Sequence, residues 1–291
     1  MKDQLAKEVV KSILLFKTLK EVLAILQTIK TPAILLKGAA FSLSIYSSTD
    51  DFREMGDIDL LIHEEDLDKV VQALERHGYE IILEQPFKKK SALSFSSELT
   101  IKHPEHGTRV EIHWQLVNIW WLRQAIPLDY PAIWQRARPA TAEGYPTLIL
   151  AVEDTLLHAC SHLAFHHRFS GSKWYKDIDL LVQKETIDWD LFIQTARQSR
   201  LKTAAYCTLD LASKQATHKV PEAVLARLKP SPLKLRLIQV SLKAMPSQDS
   251  PPSLQRTFKY LLLELLLLDR WNDRLMALFR FLYCMAIYNI G

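Results

Sequence analysis

Met55-Gly56-Asp57-Ile58-Asp59-Leu60-Leu61-Ile62 is the stretch that decides the fold of this 291-residue chain. Leu60, Leu61 and Ile62 follow without a break, so the segment predicts a buried strand whose opening residues alternate apolar and acidic. Alternation places Asp57 and Asp59 on one face, where the two carboxylates repel each other when ionised. A cation holds such a pair together, and two carboxylates on a rigid strand suit Mg²⁺. Acidic pairs beside strand ends are also common on plain surfaces, so the flanking sequence has to decide.

Upstream, Pro32-Ala33-Ile34-Leu35-Leu36-Lys37-Gly38-Ala39-Ala40 predicts a short strand that breaks at Lys37-Gly38 and opens a helix to about Tyr46. A strand, a glycine and a helix N-terminus make an anion site, because unpaired N–H groups and the helix dipole converge there. Gly38 lets a phosphate approach the backbone without a Cβ in the way. Lys37 adds a cation, and Arg53 offers a two-pronged guanidinium just ahead of the aspartates. Singly, each of these residues reads as a turn glycine or a solvated charge. Together they describe a phosphate cradle followed by a metal-binding strand.

Downstream, a helix is expected from about Glu64 to His77, with Gly78 as its stop. Leu99-Thr100-Ile101 and Arg109-Val110-Glu111-Ile112-His113-Trp114 then read as strands joined by a hairpin-like turn at His103-Pro104-Glu105-His106-Gly107. Val110, Ile112 and Trp114 share one face of the second strand, and Arg109, Glu111 and His113 the other. Glu111 is thus a third strand carboxylate.

The order of these motifs, LLKGAA, then GDIDLLI, then VEIHW, resembles the nucleotidyltransferase fold shared with DNA polymerase beta and the aminoglycoside nucleotidyltransferases. More narrowly, it is similar to a largely uncharacterised bacterial family marked by LKG, R-x-x-x-D-I-D-L-L and a later acidic-x-His-Trp. The resemblance maps onto Lys37, Gly38, Arg53, Asp57, Asp59, Glu111, His113 and Trp114. It covers roughly residues 30 to 115 and extends loosely through the rest. It implies an α+β protein: a small mixed sheet flanked by helices, followed by an all-helical domain. The chain divides accordingly into a nucleotidyltransferase domain at 1–125 with an amphipathic N-terminal helix, a linker at 126–146 and a helical domain at 147–291. One position departs from the superfamily pattern, since Ala39 stands where serine or glycine is usual; it keeps the backbone donor and lacks a hydroxyl.

The resemblance also implies chemistry. Two Mg²⁺ (or Mn²⁺) ions about 3.5–4 Å apart clamp the attacking and leaving oxygens in nucleotidyl transfer. Asp57, Asp59 and Glu111 would ligate them, and Lys37, Gly38, Ala39 and Arg53 would hold the triphosphate of an NTP, with ATP the first candidate. His113 would sit in the substrate cleft. The expected acceptor is a hydroxyl or phosphate of a small molecule, sugar or peptide. A catalytically degenerate binding protein, or a transferase modifying protein or RNA, are the competing classes.

Composition limits these options. Net charge is only +4, so no strong case for a nucleic-acid partner exists, and Lys88-Lys89-Lys90 reads as a solvated loop. Cys160, Cys207 and Cys284 lack metal-ligand spacing or pairing logic, which fits a reducing cytosol, and the first 30 residues carry no signal peptide. The second half reads as helices: Thr147 to His167, Asp188 to Arg200, Lys202 to Gln215 and later segments. His158, His162 and His166 recur along one of them, and we read them as core or cleft-lining imidazoles rather than as a zinc site. The resemblance places His162 and His166 in the substrate cleft. Lys176-Asp177-Ile178-Asp179-Leu180-Leu181 echoes the first motif, but Trp174, Ile178 and Leu181 fall at helical spacing, so its aspartates diverge and cannot share a metal. Asp177 alone remains a cleft candidate. From Tyr260 to Tyr288 charges interrupt a very apolar stretch, so no transmembrane span is expected; two buried helices are, with a membrane-surface or dimer contact as the lesser alternative. Base preference and oligomeric state leave no trace in the sequence.

Overall fold

The computed structural model describes residues 2–46, 53–82, 96–215, 218–246, 251 and 253–288. The Lys88–Lys90 run lies outside them. The chain divides into two compact units, one of Met1–Trp120 with Pro131–Ala151, the other of Trp121–Tyr130 with Val152–Gly291.

The first unit is built on a mixed sheet of seven strands in the order β3-β4-β5-β2-β1-β7-β6. These are β1 (Ile34–Leu36), β2 (Ile58–Leu61), β3 (Glu80–Ile82), β4 (Glu98–Lys102), β5 (Arg109–His113), β6 (Arg138–Ala142) and β7 (Tyr145–Ile149). The strand β2 pairs antiparallel with β1 and parallel with β5, and it is buried at every position. Helix α1 (Lys2–Thr28) covers the sheet with Leu15, Leu19, Val22 and Leu26, spaced to form one stripe and each at most 2% exposed. Helix α3 (Leu67–Arg76) adds Val70, Val71 and Leu74, and ends where Gly78 adopts φ +84°, a backbone that favours glycine after a helix. Burying each large aliphatic side chain stabilises by about 1.5–3 kcal/mol, so this stripe fixes the sheet that carries Asp59.

Part of the stretch expected to be a linker, 126–146, is instead structured. Helix α4 (Tyr130–Arg136) stacks Trp134 on His63, and the β6–β7 hairpin extends the sheet beside β1. Its prolines suggested a linker, yet both sit where a strand tolerates them. Pro139 lies on the edge strand, and Pro146 precedes the two residues of β7 that pair with β1.

The second unit is helical: α5 (Val152–Ser161), α6 (Ser172–Lys184), α7 (Trp189–Gln198), α8 (Lys202–Gln215), α9 (Glu222–Leu228), α10 (Pro232–Lys243), α11 (Leu254–Leu267) and α12 (Trp271–Tyr288). Side chains cap several of these helices. Asp188 accepts from the amides of Asp190 and Leu191 at α7, and Ser231 and Ser253 cap α10 and α11. The echo motif lies inside α6 as a helix. Two expectations change. The first helix of this half begins at Val152 rather than Thr147, because 147–149 belongs to β7. The last two helices are only half-buried: Leu254, Phe258, Leu262, Trp271, Leu275 and Phe279 are all exposed. Their apolar composition suggested burial, but the apolar residues run around both helices and one stripe alone meets the core. No described helix is long and apolar enough to cross a membrane.

The turn into helix α2 (Lys37–Ser44) is tight for a local reason. A Cβ on Gly38 would lie 2.7 Å from Cγ of Met55, which is itself buried. Overpacking costs about 1–3 kcal/mol, against the roughly 0.5–1 kcal/mol that alanine gains over glycine within a helix. Gly38→Ala therefore lowers stability in urea, and pairing it with Met55→Ala costs less than the two single changes added together.

Candidate active site

The site begins with register. Parallel pairing of β2 with β5 sets Asp59 opposite Glu111 and Leu61 opposite His113. Antiparallel pairing of β4 with β5 sets Glu98 opposite His113. Side chains pointing to the same face thus meet across three adjacent strands. His113 Nε2 lies 2.9 Å from Oδ1 of Asp59 and 3.7 Å from Oε2 of Glu111, while its Nδ1 lies 3.2 Å from Oε2 of Glu98. Asn118 donates to that same Glu98 oxygen. One imidazole therefore ties three carboxylates together.

Lys37 enters from the neighbouring strand end. It follows β1 with φ +46°, a left-handed conformation that costs a residue with a Cβ on the order of 1–3 kcal/mol. Its Nζ donates to Oδ1 of Asp59 at 2.5 Å and lies 3.7 Å from Oε2 of Glu111. Burial alone would depress the ammonium's pKa, but Asp59 and Glu111 outweigh burial and raise it well above the ordinary lysine value. Burial likewise works against ionised Asp59, and Lys37 and His113 overcome it, holding that carboxyl well below the usual range.

Two groups show how the charges balance. Burial and Lys37 push His113 towards the neutral form, yet hydrogen bonds to Asp59 and Glu111 prevail and raise it to about 9. Asp57 precedes β2 and has the opposite problem. Burial, then the charges of Asp59 and Glu111, raise its carboxyl to about 6, and Lys37 and Arg109 compensate only in part. Four carboxylates, Asp57, Asp59, Glu98 and Glu111, thus share Lys37 and His113 as their nearby cations. Among the described residues, Asp59, Glu111 and His113 form the one group of three metal-capable side chains whose ligand atoms lie within 4.8 Å of one another. The carboxylates of Asp59 and Glu111, with the Asp57 carboxyl beside them, fit a divalent cation, whereas His113 at its raised pKa keeps both ring protons for carboxylates.

The expected site residues are distributed as follows. Lys37, Asp59, Glu111 and His113 come together, and Asp57 flanks them closely enough to feel their charge. Gly38 and Ala39 open α2 and are buried. Arg53 is 5% exposed, and its guanidinium donates to the Glu54 carbonyl, so it is tucked into the chain rather than displayed. His162, His166 and Asp177 belong to the second unit. There the helix widens into a π turn over His162–His166, closed by the His167 amide on the His162 carbonyl. The His162 and His166 rings stack at 4.9 Å, and His167 stacks on Trp174 while its Nε2 lies 2.9 Å from that of His162. Asp177 is 1% exposed. Glu98 and Asn118 are the site residues that the sequence did not reveal. A cavity of about 580 Å³, walled by Val10, Leu14 and Leu15 of α1, opens beside Gly56 and Arg109.

Comparison with known proteins adds to this geometry. A family model described as uncharacterised nucleotidyltransferase matches residues 1–217. No curated protein matches the chain. Similar solved structures include the lincosamide antibiotic adenylyltransferase LnuA bound to lincomycin, 20% identical over 58% of this chain and 97% of that one, with a TM-score of 0.39. Another is ANT(2")-Ia in complex with adenylyl-2"-tobramycin, 12% identical over 64% of this chain and 96% of that one, TM-score 0.43. A nucleotidyltransferase-like antigen from Paracoccidioides brasiliensis is 17% identical over 72% and 95% of the two chains, TM-score 0.38.

The His113 network makes stability depend on pH. Its folded pKa of about 9 lies above the unfolded value of 6.5, so its contribution is complete below pH 6.5 and is lost as pH rises through 9. The thermal midpoint of the metal-free protein should fall across that window, and His113→Gln should flatten the fall while lowering the midpoint at pH 6.

Proposed function

The chain belongs to the uncharacterised nucleotidyltransferase family, and we propose that it moves a nucleoside monophosphate from an NTP to a hydroxyl or phosphate of a small molecule, sugar or peptide, releasing pyrophosphate. ATP is the first candidate donor. The observation that carries this reading is the convergence of Asp59 and Glu111 on adjacent parallel strands with Lys37 between them. An acidic centre on a rigid sheet, next to a helix N-terminus with unpaired amides, is what a metal-assisted phosphoryl transfer needs.

In this reading Asp57, Asp59 and Glu111 would hold a divalent cation, Mg²⁺ or Mn²⁺, while His113 stays bonded to Asp59 and Glu98. Bound there, the cation supplies charge stabilisation to the phosphoryl oxygens and acidity to an attacking hydroxyl. The chain's own groups do the rest. Glu98 and Asn118 hold His113 in place, and His113 holds Asp59. The first amides of α2, at Lys37, Gly38 and Ala39, face the phosphates of the nucleotide. Glu111 is the group placed to take the acceptor's proton. Lys37 neutralises Asp59 and Glu111 in the resting site, and with those carboxylates on a cation it would be free to hold a phosphate. The cavity beside Gly56 offers apolar walls to a base or acceptor.

Several outcomes follow. With Mg²⁺, an NTP and a true acceptor found by mass spectrometry, pyrophosphate release should fall at least about a hundredfold in Asp59→Asn and in Glu111→Gln. If Asp57→Asn and Asp59→Asn both leave turnover intact on that acceptor, the assignment is wrong. Lys37→Met should bind Mn²⁺ more tightly and yet turn over more slowly, because it removes both a competing cation and a phosphate partner. Asp57 is protonated below about pH 6. Mn²⁺ affinity measured by calorimetry should therefore weaken below that pH and level off above it, and Asp57→Asn should remove the dependence.

A further inference from the structure

The chain's positive charge is concentrated at one end. Residues 229–291 hold nine Lys and Arg against four Asp and Glu, a net +5, while the whole chain carries +4, so the first 228 residues are slightly acidic. The same end carries the exposed apolar surface. Of the thirteen exposed large hydrophobic side chains among the described residues, eleven lie on α10, α11 and α12. They recur at helical spacing, as Leu233, Leu237 and Val240 on α10 and as Trp271, Leu275 and Phe279 on α12, with Leu233 and Phe279 each 70% exposed. The three helices pack in succession, α10 on α11 and α11 on α12.

The three described acids of this region turn inward. Glu264 is 1% exposed and accepts from Trp121 and Arg168. Asp273 is 3% exposed and pairs with Arg200. Asp269 accepts from the amides of Lys202 and Thr203 and from the Thr203 hydroxyl. Among the described residues, α10–α12 and their connections therefore show solvent no exposed acid, and beside the apolar side chains and a few uncharged polar ones Lys229, Arg236, Lys243 and Arg270 are all exposed. A cavity of about 540 Å³ opens at the start of α10, with Leu233 and Leu237 on its rim. Arg197, Lys202, Lys234 and Arg274 line it against the single carboxylate of Asp269. Lys234 donates to Thr203 Oγ1 and to the Leu268 carbonyl, and burial lowers its pKa to about 8, so an anion in the cavity would be welcome there.

We propose that the outer face of α10–α12 docks on an anionic lipid surface, with the cavity beside Lys234 receiving a lipid headgroup. Apolar side chains entering the interface and cations meeting lipid charge are the two attractions that hold an amphipathic helix on a bilayer. A second copy of the chain fits this face poorly, because it would bring cation against cation. No spanning helix is needed, and none is present among the described residues.

Flotation of the full chain with vesicles tests this. Vesicles of phosphatidylcholine with about one third phosphatidylglycerol should bind it, pure phosphatidylcholine should not, and high salt should weaken the binding. Leu237→Glu with Phe279→Glu should lower partitioning at least about tenfold while leaving the melting curve and pyrophosphate release unchanged. Arg197→Glu, at an exposed position on the cavity rim, should weaken anionic binding without affecting the fold. The proposal is overturned by no binding to anionic vesicles, by equal binding to neutral ones, or by an unaltered double variant. It is also overturned if sedimentation shows a dimer that the double variant dissociates and no vesicle binding occurs.

Discussion

Asp59 is a carboxylate buried to 3% exposure in the middle of a sheet, and such a charge survives only if cations meet it. Lys37 and His113 do so from opposite sides, one from the β1–α2 junction and one from β5. Much of the first unit can be read as the means of delivering those two side chains. The parallel pairing of β2 with β5 brings His113 and Glu111 alongside. The short β1 strand ends at Leu36, opposite Asp59, so the next residue must turn immediately and its side chain is available to the carboxylate. Lys37 accepts a left-handed backbone there, and the strain is tolerable because the ion pair it allows offsets it.

That arrangement also gives Gly38 a packing role besides the phosphate clearance proposed for it. The segment that leads into β2 brings Met55 against the first turn of α2, and the glycine leaves room for it. Packing and chemistry thus converge on one residue. A change at Gly38 would disturb the spacing of Lys37 and Asp59 as well as any approach to the helix amides, so only a stability measurement beside an activity measurement separates the two effects.

What could be read from the sequence was the part with a local pattern. The β2 run, the Lys37-Gly38 break and the alternation around Glu111 each lie within a few residues, and they located the carboxylates, the lysine and the α+β order of the elements. Glu98 and Asn118 could not be found this way, because they matter only through the register of β4 on β5 and through the loop after β5. The β6–β7 hairpin was hidden by its prolines, whose tolerance depends on which strand lies at the sheet edge. The histidine stripe kept its spacing but not its shape: a π turn replaced the regular helix, and His167 and Trp174 joined the cluster. Periodicity shows that side chains share a face, whereas the turn type sets which of them touch.

The balance of charge at the centre bears on what it can accept. Asp57, Asp59, Glu98 and Glu111 face Lys37, an imidazolium at His113 and Arg109, four carboxylates against three cations, and the Asp57 carboxyl is raised by burial first and then by Asp59 and Glu111. A nucleoside triphosphate is itself a polyanion and would be repelled from such a surface alone. It can enter only together with positive charge, and Lys37 is the one resident cation able to change partners, since His113 is held on both ring nitrogens. On the proposed reading, a cation arriving at the carboxylates would release Lys37, and the released Lys37 would be available to a phosphate. The acidic cluster that looks like a cost in the resting protein is what keeps Lys37 engaged, and on the proposed reading it would do so until donor and cation arrive together.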